Sequence, residues 1–322
     1  LDSKSIKKFT KLFPKIFSKV FTDINSSKKT LNILNRKFNF NFEFKDLEKF
    51  KSFKTIAIIG MGGSILGSEA VSHFLKEKIN KKIYFFNDLN IKKIQNFKKK
   101  KNLNKVLFFV ISKSGNTVET LSNFFTLKII KKNSKNIIII SEKKNNLLYS
   151  LSKKFNLFYI EHKNYIGGRY SVLSEVGIVP AYLMGININK LRSGSLKSLK
   201  KKTQLFLKDS TIMLSSLLSF KKINNLIFLN YCPELEKFLF WCQQLIAESL
   251  GKNGKGFLPT ISNAPKDHHS LLQLYLDGPK NKLFYIFSHE ESSKEKINIK
   301  EILKEKNFLN NKTLSSIKKA QK

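Results

Sequence analysis

Glycines and a serine that follow a predicted strand form the first segment suited to binding an anion. The segment reads GMGGSILGSE over residues 60–69, and a helix is predicted to begin within it. Glycines let backbone amides approach an anion closely, and the amino end of a helix adds partial positive charge. The segment fails the dinucleotide-binding pattern because Ile65 stands where the third glycine is needed, and it lacks the Gly-Lys-Ser/Thr of a Walker loop. An ordinary strand-to-helix turn is the alternative interpretation.

A second segment, ISKSGNTVET over residues 111–120, repeats this arrangement after another predicted strand. It offers three hydroxyls and one ammonium group, on Ser112, Ser114, Thr117 and Lys113. Each oxygen of a phosphate monoester accepts several hydrogen bonds, so clustered hydroxyls at a helix start suit such a ligand. Ordinary helix capping is the alternative, but it needs one such residue and not three. Because the carboxyl ends of neighbouring parallel strands face one crevice, the two segments together predict a phosphate site more strongly than either alone.

Three further segments contain residues that could stabilise a negative charge or act as a general base or acid. Arg169 lies in YIGGRYSVLSEVG, and arginine occurs only at positions 36, 169 and 192, which favours a need for a fixed planar donor there. Gln244 and Glu248 share one face of a predicted helix, where partial burial among leucine and isoleucine would favour Glu248 as a general base. His268 and His269 are adjacent, point to different faces and lack a metal-binding spacing. The alternatives are a surface arginine, a solvated glutamate and a capping or core histidine.

Short apolar runs that alternate with helical patterns must position these residues. Five runs are predicted as strands, at 55–60, 82–87, 106–112, 136–140 and 157–160. Continuous apolar strands separated by helices are typical of a parallel sheet covered on both faces. The alternation resumes with a strand at 224–231, a helix from Pro233 to Leu250, a glycine-rich loop and a strand at 282–287. The sequence therefore predicts an α/β fold of two units with parallel sheets.

A long helical region from about 171 to 220, interrupted near Gly185, separates the two units. We assign 1–195 to the N-terminal region and first domain, and 196–322 to the second domain. No linker rich in proline, glycine or serine intervenes, so the domains are expected to pack tightly. Two helices are expected in the lysine-rich tail, at 299–306 and 311–320, and Asp267 is expected to cap the helix that starts near His268.

The composition of the chain excludes several classes of protein. Its 322 residues are 41% hydrophobic and 12% aromatic, enough for folded cores, while its apolar runs are too short to cross a membrane. There is no signal-peptide pattern, and two cysteines supply neither a disulfide framework nor a four-ligand zinc site, which fits a reducing cytoplasm. The net charge of +37 comes almost entirely from lysines spread along the chain, which we attribute to an AT-rich genome. Specific nucleic-acid binding is therefore not expected, although non-specific binding to polyanions at low salt is.

Together these segments resemble the glucose-6-phosphate isomerase (phosphoglucose isomerase) family, whose members contain two sugar-isomerase (SIS) domains. The matching motifs, in the family's order over residues 60–274, are GMGGSILG, SKSGNTVET, IGGRYS, QLIAESLGKNG and DHHSLLQL. The resemblance, which is to the shorter bacterial forms, implies two doubly wound, three-layer αβα domains. It implies the reversible isomerisation of glucose 6-phosphate and fructose 6-phosphate through a cis-enediol(ate), in glycolysis and gluconeogenesis. It implies no metal and no cofactor, and the chemistry itself needs only a carboxylate base, a fixed cation and an anion cradle.

The resemblance also implies roles for individual residues. It implies that the sugar phosphate is bound by Gly63, Ser64, Ser112, Lys113, Ser114 and Thr117. Glu248 corresponds to the base that moves a proton between C2 and C1, and Arg169 with Gly168 to the group that stabilises the enediolate. Gln244 corresponds to a ligand of the sugar, and His269 to the histidine that opens the ring. That histidine reaches the site from the neighbouring subunit in this family, so the resemblance implies a homodimer.

The chain departs from the family pattern at its carboxyl end. The family's ring-opening lysine in a C-terminal helix has no recognisable match before Lys322, and the chain begins with Leu1 rather than methionine. We therefore expect either a fragment with a truncated second domain or ring opening by His269 alone. A non-catalytic SIS sensor of sugar phosphates is the alternative function, but such a sensor needs neither Glu248 nor His269. A nucleic-acid-binding protein is a third hypothesis, suggested only by the net charge.

Overall fold

The computed structural model describes residues 3–220, 222–289, 295–297, 309 and 312–321. The strands within these residues are β1 Thr55–Ile59, β2 Lys82–Phe86, β3 Val106–Ile111, β4 Ile137–Ser141, β5 Phe158–Glu161, β6 Asn225–Asn230, β7 Leu258–Asn263 and β8 Lys282–Phe287. The α-helices are α1 Ser3–Asn25, α2 Phe44–Leu47, α3 Leu66–Phe74, α4 Ile91–Lys100, α5 Val118–Leu127, α6 Leu147–Lys154, α7 Glu175–Leu183, α8 Ile188–Ser193, α9 Lys201–Phe220, α10 Glu236–Leu250, α11 His268–Leu276 and α12 Leu314–Gln321. Short 3₁₀ helices span Thr30–Leu34, Glu48–Phe50, Gly62–Ser64, Lys76–Lys78, Leu103–Lys105, Gly168–Leu173, Lys197–Leu199 and Pro233–Leu235.

The first sheet has five parallel strands in the order β2-β1-β3-β4-β5. Its central strands β3 and β4 are buried along their whole length, because helices cover both faces. Alternate residues of each strand point to opposite faces, so Ile58 packs with α3 and α7 while Ile59 packs with α4, α5 and α6. The five strands predicted for this unit are confirmed, and so is its three-layer αβα arrangement.

The second sheet has three parallel strands in the order β7-β6-β8. Leu226 and Phe228 of β6 pack on one face against Leu239 of α10 and residues of α9. On the other face, the Tyr275 ring of α11 packs edge-on against Phe284 of β8, with ring centroids 5.1 Å apart. This unit is therefore also a parallel sheet between helices, as expected.

Three elements differ from the sequence prediction or lie beyond the described residues. Strand β7 was not predicted, because its sequence LPTISN contains Pro259 and polar residues; it lies at the sheet edge, where proline is tolerated. The amphipathic helix α1 was not predicted either, since lysines interrupt its apolar residues. The expected helix at 311–320 is α12, whereas the expected helix at 299–306 lies outside the described residues.

The two units pack directly against each other, as the lack of a linker predicts. Helix α3 of the first unit lies against α10 of the second, and α1 packs along α9. At the end of α3, the His73 ring nitrogen Nδ1 lies 3.1 Å from the Glu234 carbonyl oxygen. Among the described residues, no helix is both long enough and apolar enough to cross a bilayer.

Candidate active site

Three hydroxyl groups converge in the loop between β3 and α5. The Ser112 Oγ atom lies 2.8 Å from Thr117 Oγ1, and Ser114 Oγ lies 3.4 Å from both of these oxygens. Gly115 adopts a positive φ of 70°, and its amide donates to Ser112 Oγ at 3.1 Å, which closes the loop tightly. Thr117 occupies the N-cap position of α5, yet its hydroxyl makes no capping bond. Helix capping therefore does not explain the cluster.

A cleft of about 310 Å³ opens over these hydroxyls. Its lining residues are Met61, Gly63, Ser64, Lys113, Ser114, Thr117, Glu142, Lys144 and Gly168. Six of them belong to the predicted phosphate- and substrate-binding residues. The predicted Ser112 is buried and does not line the cleft, but its hydroxyl bonds to Thr117. The loops after β1 and β3 thus meet at one crevice, as parallel neighbouring strands require.

Sequence reasoning missed Glu142 and Lys144, which follow β4. The Glu142 carboxylate lies 3.5 Å from the Lys113 ammonium group and 2.5 Å from that of Lys144. Lys113 also donates to the Asn164 carbonyl oxygen at 2.9 Å. Glu142 therefore holds two ammonium groups at the cleft, and the three charges sum to one positive charge that attracts a phosphate. The sequence could have indicated both residues, because the segment SEKKNN follows the fourth predicted strand and so lies at the same edge of the sheet.

The backbones of two glycine-containing loops lie in direct contact beside the cleft. A Cβ atom at Gly63 would lie 2.2 Å from the Gly168 carbonyl carbon and 2.6 Å from the Arg169 amide nitrogen. The Ser171 hydroxyl bonds both loops, at 3.1 Å from the Gly63 carbonyl oxygen and 2.6 Å from that of Gly168. Only glycine at position 63 permits this approach, which places Arg169 next to the phosphate loops.

Arg169 and Glu248 form an ion pair that joins the two units. Arg169 Nη1 lies 3.0 Å from Glu248 Oε1, and Arg169 Nε donates to Ser249 Oγ at 2.8 Å. The guanidinium carbon lies 4.7 Å from the Tyr170 ring centroid, and Trp241 Nε1 donates to the Arg169 carbonyl oxygen at 2.9 Å. These contacts fix the guanidinium plane, so Arg169 is not an ordinary surface arginine.

The expected partial burial of Glu248 is wrong. The Glu248 side chain is 52% exposed and Arg169 only 16% exposed. Glu248 lies in the last turn of α10, on the side that faces the Gly168–Leu173 segment and not the core of the second unit. Its carboxylate is therefore held by the Arg169 guanidinium rather than by apolar surroundings.

Gln244 lies one turn before Glu248 on α10, as the spacing predicts. Gly62 has a positive φ of 51°, and a Cβ atom there would lie 2.9 Å from Gln244 Nε2, so the glycine makes room for the amide. Among the described residues, the buried Gln244 Oε1 has no hydrogen-bond partner. The amide group therefore lies against the loop after β1, beside the predicted substrate site.

The structure does not bring His269 into the cleft of its own chain. His269 lies on α11, where its side chain is exposed and makes no hydrogen bond to any described residue. The neighbouring His268 points elsewhere, with Nε2 3.0 Å from the Tyr231 hydroxyl. Asp267 occupies the N-cap position of α11, but its carboxylate accepts from the Asn263 amide at 2.7 Å instead of capping the helix. The other predicted site residues lie in the loops after β1 and β3, in the Gly168–Leu173 segment and on α10, and the segments Gly62–Ser64 and Gly168–Leu173 contact each other and α10.

Comparison with known proteins identifies the family. Residues 18–271 match the family model described as phosphoglucose isomerase. The chain belongs to this family. Glucose-6-phosphate isomerase of Methanocaldococcus jannaschii is 33% identical over 276 residues, which are 81% of this chain and 68% of that protein. The probable glucose-6-phosphate isomerase of Methanococcus maripaludis is 37% identical over 80% of this chain and 65% of that protein. This phosphoglucose isomerase family member thus spans about two thirds of the length of these relatives.

Solved structures support the fold. The crystal structure of hypothetical protein TT0462 from Thermus thermophilus is similar with a TM-score of 0.78 at 21% identity, over 99% of this chain and 80% of that one. A glucose-6-phosphate isomerase from Chlamydia trachomatis is similar with a TM-score of 0.65 at 16% identity, over 90% of this chain and 67% of that one. The predicted α/β fold of two SIS-type units is therefore confirmed.

Proposed function

We propose that this chain catalyses the reversible isomerisation of glucose 6-phosphate and fructose 6-phosphate. The observation that carries the proposal is the Arg169–Glu248 ion pair, 3.0 Å long, beside a cleft lined with hydroxyls. Gly168 lines that cleft and Arg169 follows it in the chain, so the Arg169–Glu248 pair lies next to the proposed phosphate cradle. A sensor that only binds sugar phosphates has no use for such a pair.

The phosphate group binds between the loops after β1, β3 and β4. Ser64, Ser114 and Thr117 donate hydroxyl hydrogen bonds, and Lys113 supplies charge. Because the Glu142 carboxylate bonds both neighbouring ammonium groups, it keeps them extended toward the cleft instead of leaving them mobile in solvent. Charge-assisted hydrogen bonds of this kind are about twice as strong as neutral ones.

The open-chain sugar extends from the phosphate site toward α10. Glu248 removes the proton from C2 of glucose 6-phosphate and returns it to C1, while the proton of the O2 hydroxyl passes to O1, which gives fructose 6-phosphate. The reverse reaction uses the same group. The negative charge that develops on the enediolate oxygens is stabilised by the Arg169 guanidinium, whose orientation is fixed before the reaction. Gln244 binds a sugar hydroxyl.

Ring opening requires His269, which we assign to the partner subunit of a homodimer. Several exposed apolar side chains accompany His269 on α11 and the adjoining β8, namely Leu272, Leu274, Leu276, Phe284 and Ile286. Exposed apolar surface next to a functional side chain is typical of a protein interface. A second copy that covers this surface through a two-fold axis would let each subunit supply its His269 to the other.

Two coarser assignments accompany this function. We propose that the first SIS domain ends near residue 195, after α8, and that the second occupies 196–322, where β6, β7 and β8 form its sheet. We also propose that the enzyme acts in the cytoplasm, because its doubly charged substrates do not cross bilayers and its family acts in glycolysis and gluconeogenesis.

Replacing the proposed base tests the function directly. We expect Glu248→Gln to lower turnover by about 10²-fold or more, since glutamine keeps the shape but cannot accept a proton. Binding of fructose 6-phosphate, measured by calorimetry, should change little. Glu236→Gln, in the first turn of the same helix, is the matched control and should retain wild-type turnover. A Glu248→Gln variant with more than a tenth of wild-type turnover would remove Glu248 from this role.

A further inference from the structure

Three residues with metal-binding side chains lie together at the carboxyl edge of the second sheet. Cys232 follows β6, His289 follows β8, and Glu234 lies in the 3₁₀ helix Pro233–Leu235 that leads into α10. The Cys232 sulfur, one carboxylate oxygen of Glu234 and one ring nitrogen of His289 all lie within 4.8 Å of one another. Three different elements therefore converge on one point that the proposed reaction does not use.

The cluster runs from the interior to the surface, since Cys232 is buried, Glu234 half-buried and His289 exposed. Cys232 is only 3% exposed, and its sulfur contacts His289 Nδ1 directly. The Glu234 Oε2 atom is buried and has no hydrogen-bond partner among the described residues. Leaving a buried carboxylate oxygen unsatisfied costs free energy, and a cation at this point would satisfy it.

The three donors match zinc better than magnesium or calcium. Thiolate and imidazole ligands favour Zn²⁺, whereas Mg²⁺ and Ca²⁺ take oxygen ligands. Tetrahedral zinc with ordinary bond lengths holds neighbouring sulfur, nitrogen and oxygen ligands roughly 3.4–3.6 Å apart. The three donor atoms, all within 4.8 Å of one another, are gathered in a space of about this size.

We propose that Cys232, Glu234 and His289 bind one Zn²⁺ ion, with the fourth position left to water or another donor. The ion would tie the ends of β6 and β8 to the start of α10. Glu248 lies 12 residues after Glu236, the first residue of α10, which is roughly 18 Å along that helix, so an ion at its start takes no part in proton transfer. Its role is to fix the helix that carries Gln244 and Glu248.

The sequence did not reveal this site because its ligands have no recognised spacing. Cys232 and Glu234 are two residues apart, and His289 follows only after α10, β7, α11 and β8. The two histidines of the motif DHHSLLQL lie outside the cluster, and His268 bonds to Tyr231. Parallel pairing of β6 with β8 is what brings position 289 beside position 232.

Cobalt substitution of the purified chain tests the proposal. Co²⁺ bound to a thiolate gives a charge-transfer band in the near ultraviolet, and we expect one equivalent to produce it. Zinc should displace the cobalt and abolish the band. Cys232→Ser should lose the band, while Cys242→Ser should keep it, because the half-buried Cys242 lies outside the cluster. Glu234→Gln and His289→Ala should each weaken cobalt binding about tenfold or more.

Thermal unfolding supplies a second readout that does not depend on activity. We expect zinc to raise the unfolding midpoint of the wild-type chain and of Cys242→Ser, and not that of Cys232→Ser or His289→Ala. Circular dichroism in the presence of a chelator establishes that each variant is folded. If Cys232→Ser does not fold, Glu234→Gln and His289→Ala decide the question. The proposal is overturned if no band forms, if the band survives in folded Cys232→Ser, or if neither of the other two substitutions weakens binding.

Discussion

Two arginines each donate hydrogen bonds to several acceptors at once. A lysine ammonium group can also do this, but without the fixed planar geometry of a guanidinium. Arg192 is buried and donates to three carbonyl oxygens, at 2.5 Å from Leu173, 3.0 Å from Ile33 and 2.7 Å from Asn35. It thereby holds the segment after α1 against the first unit. Arg169 uses the same fork on a carboxylate and a hydroxyl. In a chain where nearly every cation is lysine, both arginines mark positions that need a planar donor.

The phosphate-binding assignment predicts a loss of affinity more than of turnover. We expect Ser114→Ala combined with Thr117→Ala to raise the Michaelis constant about 10²-fold, because each hydroxyl contributes a charge-assisted hydrogen bond. The phosphate does not change during the reaction, so turnover should fall far less. Ser122→Ala, exposed on the same helix α5, is the matched control. An unchanged Michaelis constant with a collapsed turnover number would contradict the assignment.

One buried histidine predicts how stability depends on pH. His162 follows β5, is 1% exposed, and burial together with the charge of Lys113 lowers its pKa from 6.5 to about 4. Its folded pKa is depressed, so the unfolded chain binds more protons and the protein loses stability as the pH falls from 6.5 toward 4. The loss reaches up to about 3 kcal/mol.

Urea unfolding of the wild-type chain and of His162→Gln across this pH range measures the effect. Burial raises the pKa of Glu69 and of Glu175, so these carboxyl groups add stability as the pH falls. Both proteins share them, and the difference between the two stability curves isolates His162. We expect the difference to change steadily between pH 6.5 and 4, and parallel curves would refute the assignment.

At the scale of elements, loops that follow parallel strands were the most predictable part of the site. The strands β1 and β3 are continuous apolar runs that end in glycine or serine, so the sequence places both phosphate loops at one edge. Strand β7 was not predictable, because an edge strand needs no continuous apolar run. The predicted burial of Glu248 was wrong because helical spacing shows which residues share a face of the helix, but not which element packs against that face. Only the approach of the Gly168–Leu173 segment to α10 decides that.

The contact between the Gly63 and Gly168 loops predicts that a larger residue at position 63 destabilises the protein. A Cβ atom at Gly63 would overlap the backbone of Gly168, and backbone cannot move aside as a flexible side chain does. We expect Gly63→Ala to lower the free energy of unfolding by about 1–3 kcal/mol, and to lower turnover because Arg169 moves away from the cleft. Gly194→Ala is the control, since a Cβ atom there meets nothing within 4 Å. Wild-type stability and turnover in Gly63→Ala would show that the contact is not required.

At the scale of the whole molecule, the candidate site is shared between units. The first unit supplies the phosphate loops and Arg169, and the second supplies Gln244 and Glu248 on α10. Trp241 of α10 donates to the Arg169 carbonyl oxygen, so the two units are joined beside the proposed catalytic pair. Relative movement of the units would change the distance between base and phosphate. Under the proposed function, the close packing of α3 on α10 is therefore needed for turnover as well as for stability.

In the proposed dimer the partner subunit also contributes to the site, through His269. This predicts how much turnover a mixture of two inactive variants should recover. Glu248→Gln and His269→Ala should each be nearly inactive alone. If His269 serves the partner's crevice, a heterodimer of the two variants has one crevice with both groups intact and one with neither. Random pairing of equal amounts should therefore restore about a quarter of the wild-type turnover. The test refolds the two variants together, with each refolded alone as the control. If His269 acted within its own chain, no pairing could unite it with an intact Glu248, and the mixture would be no more active than the separate variants.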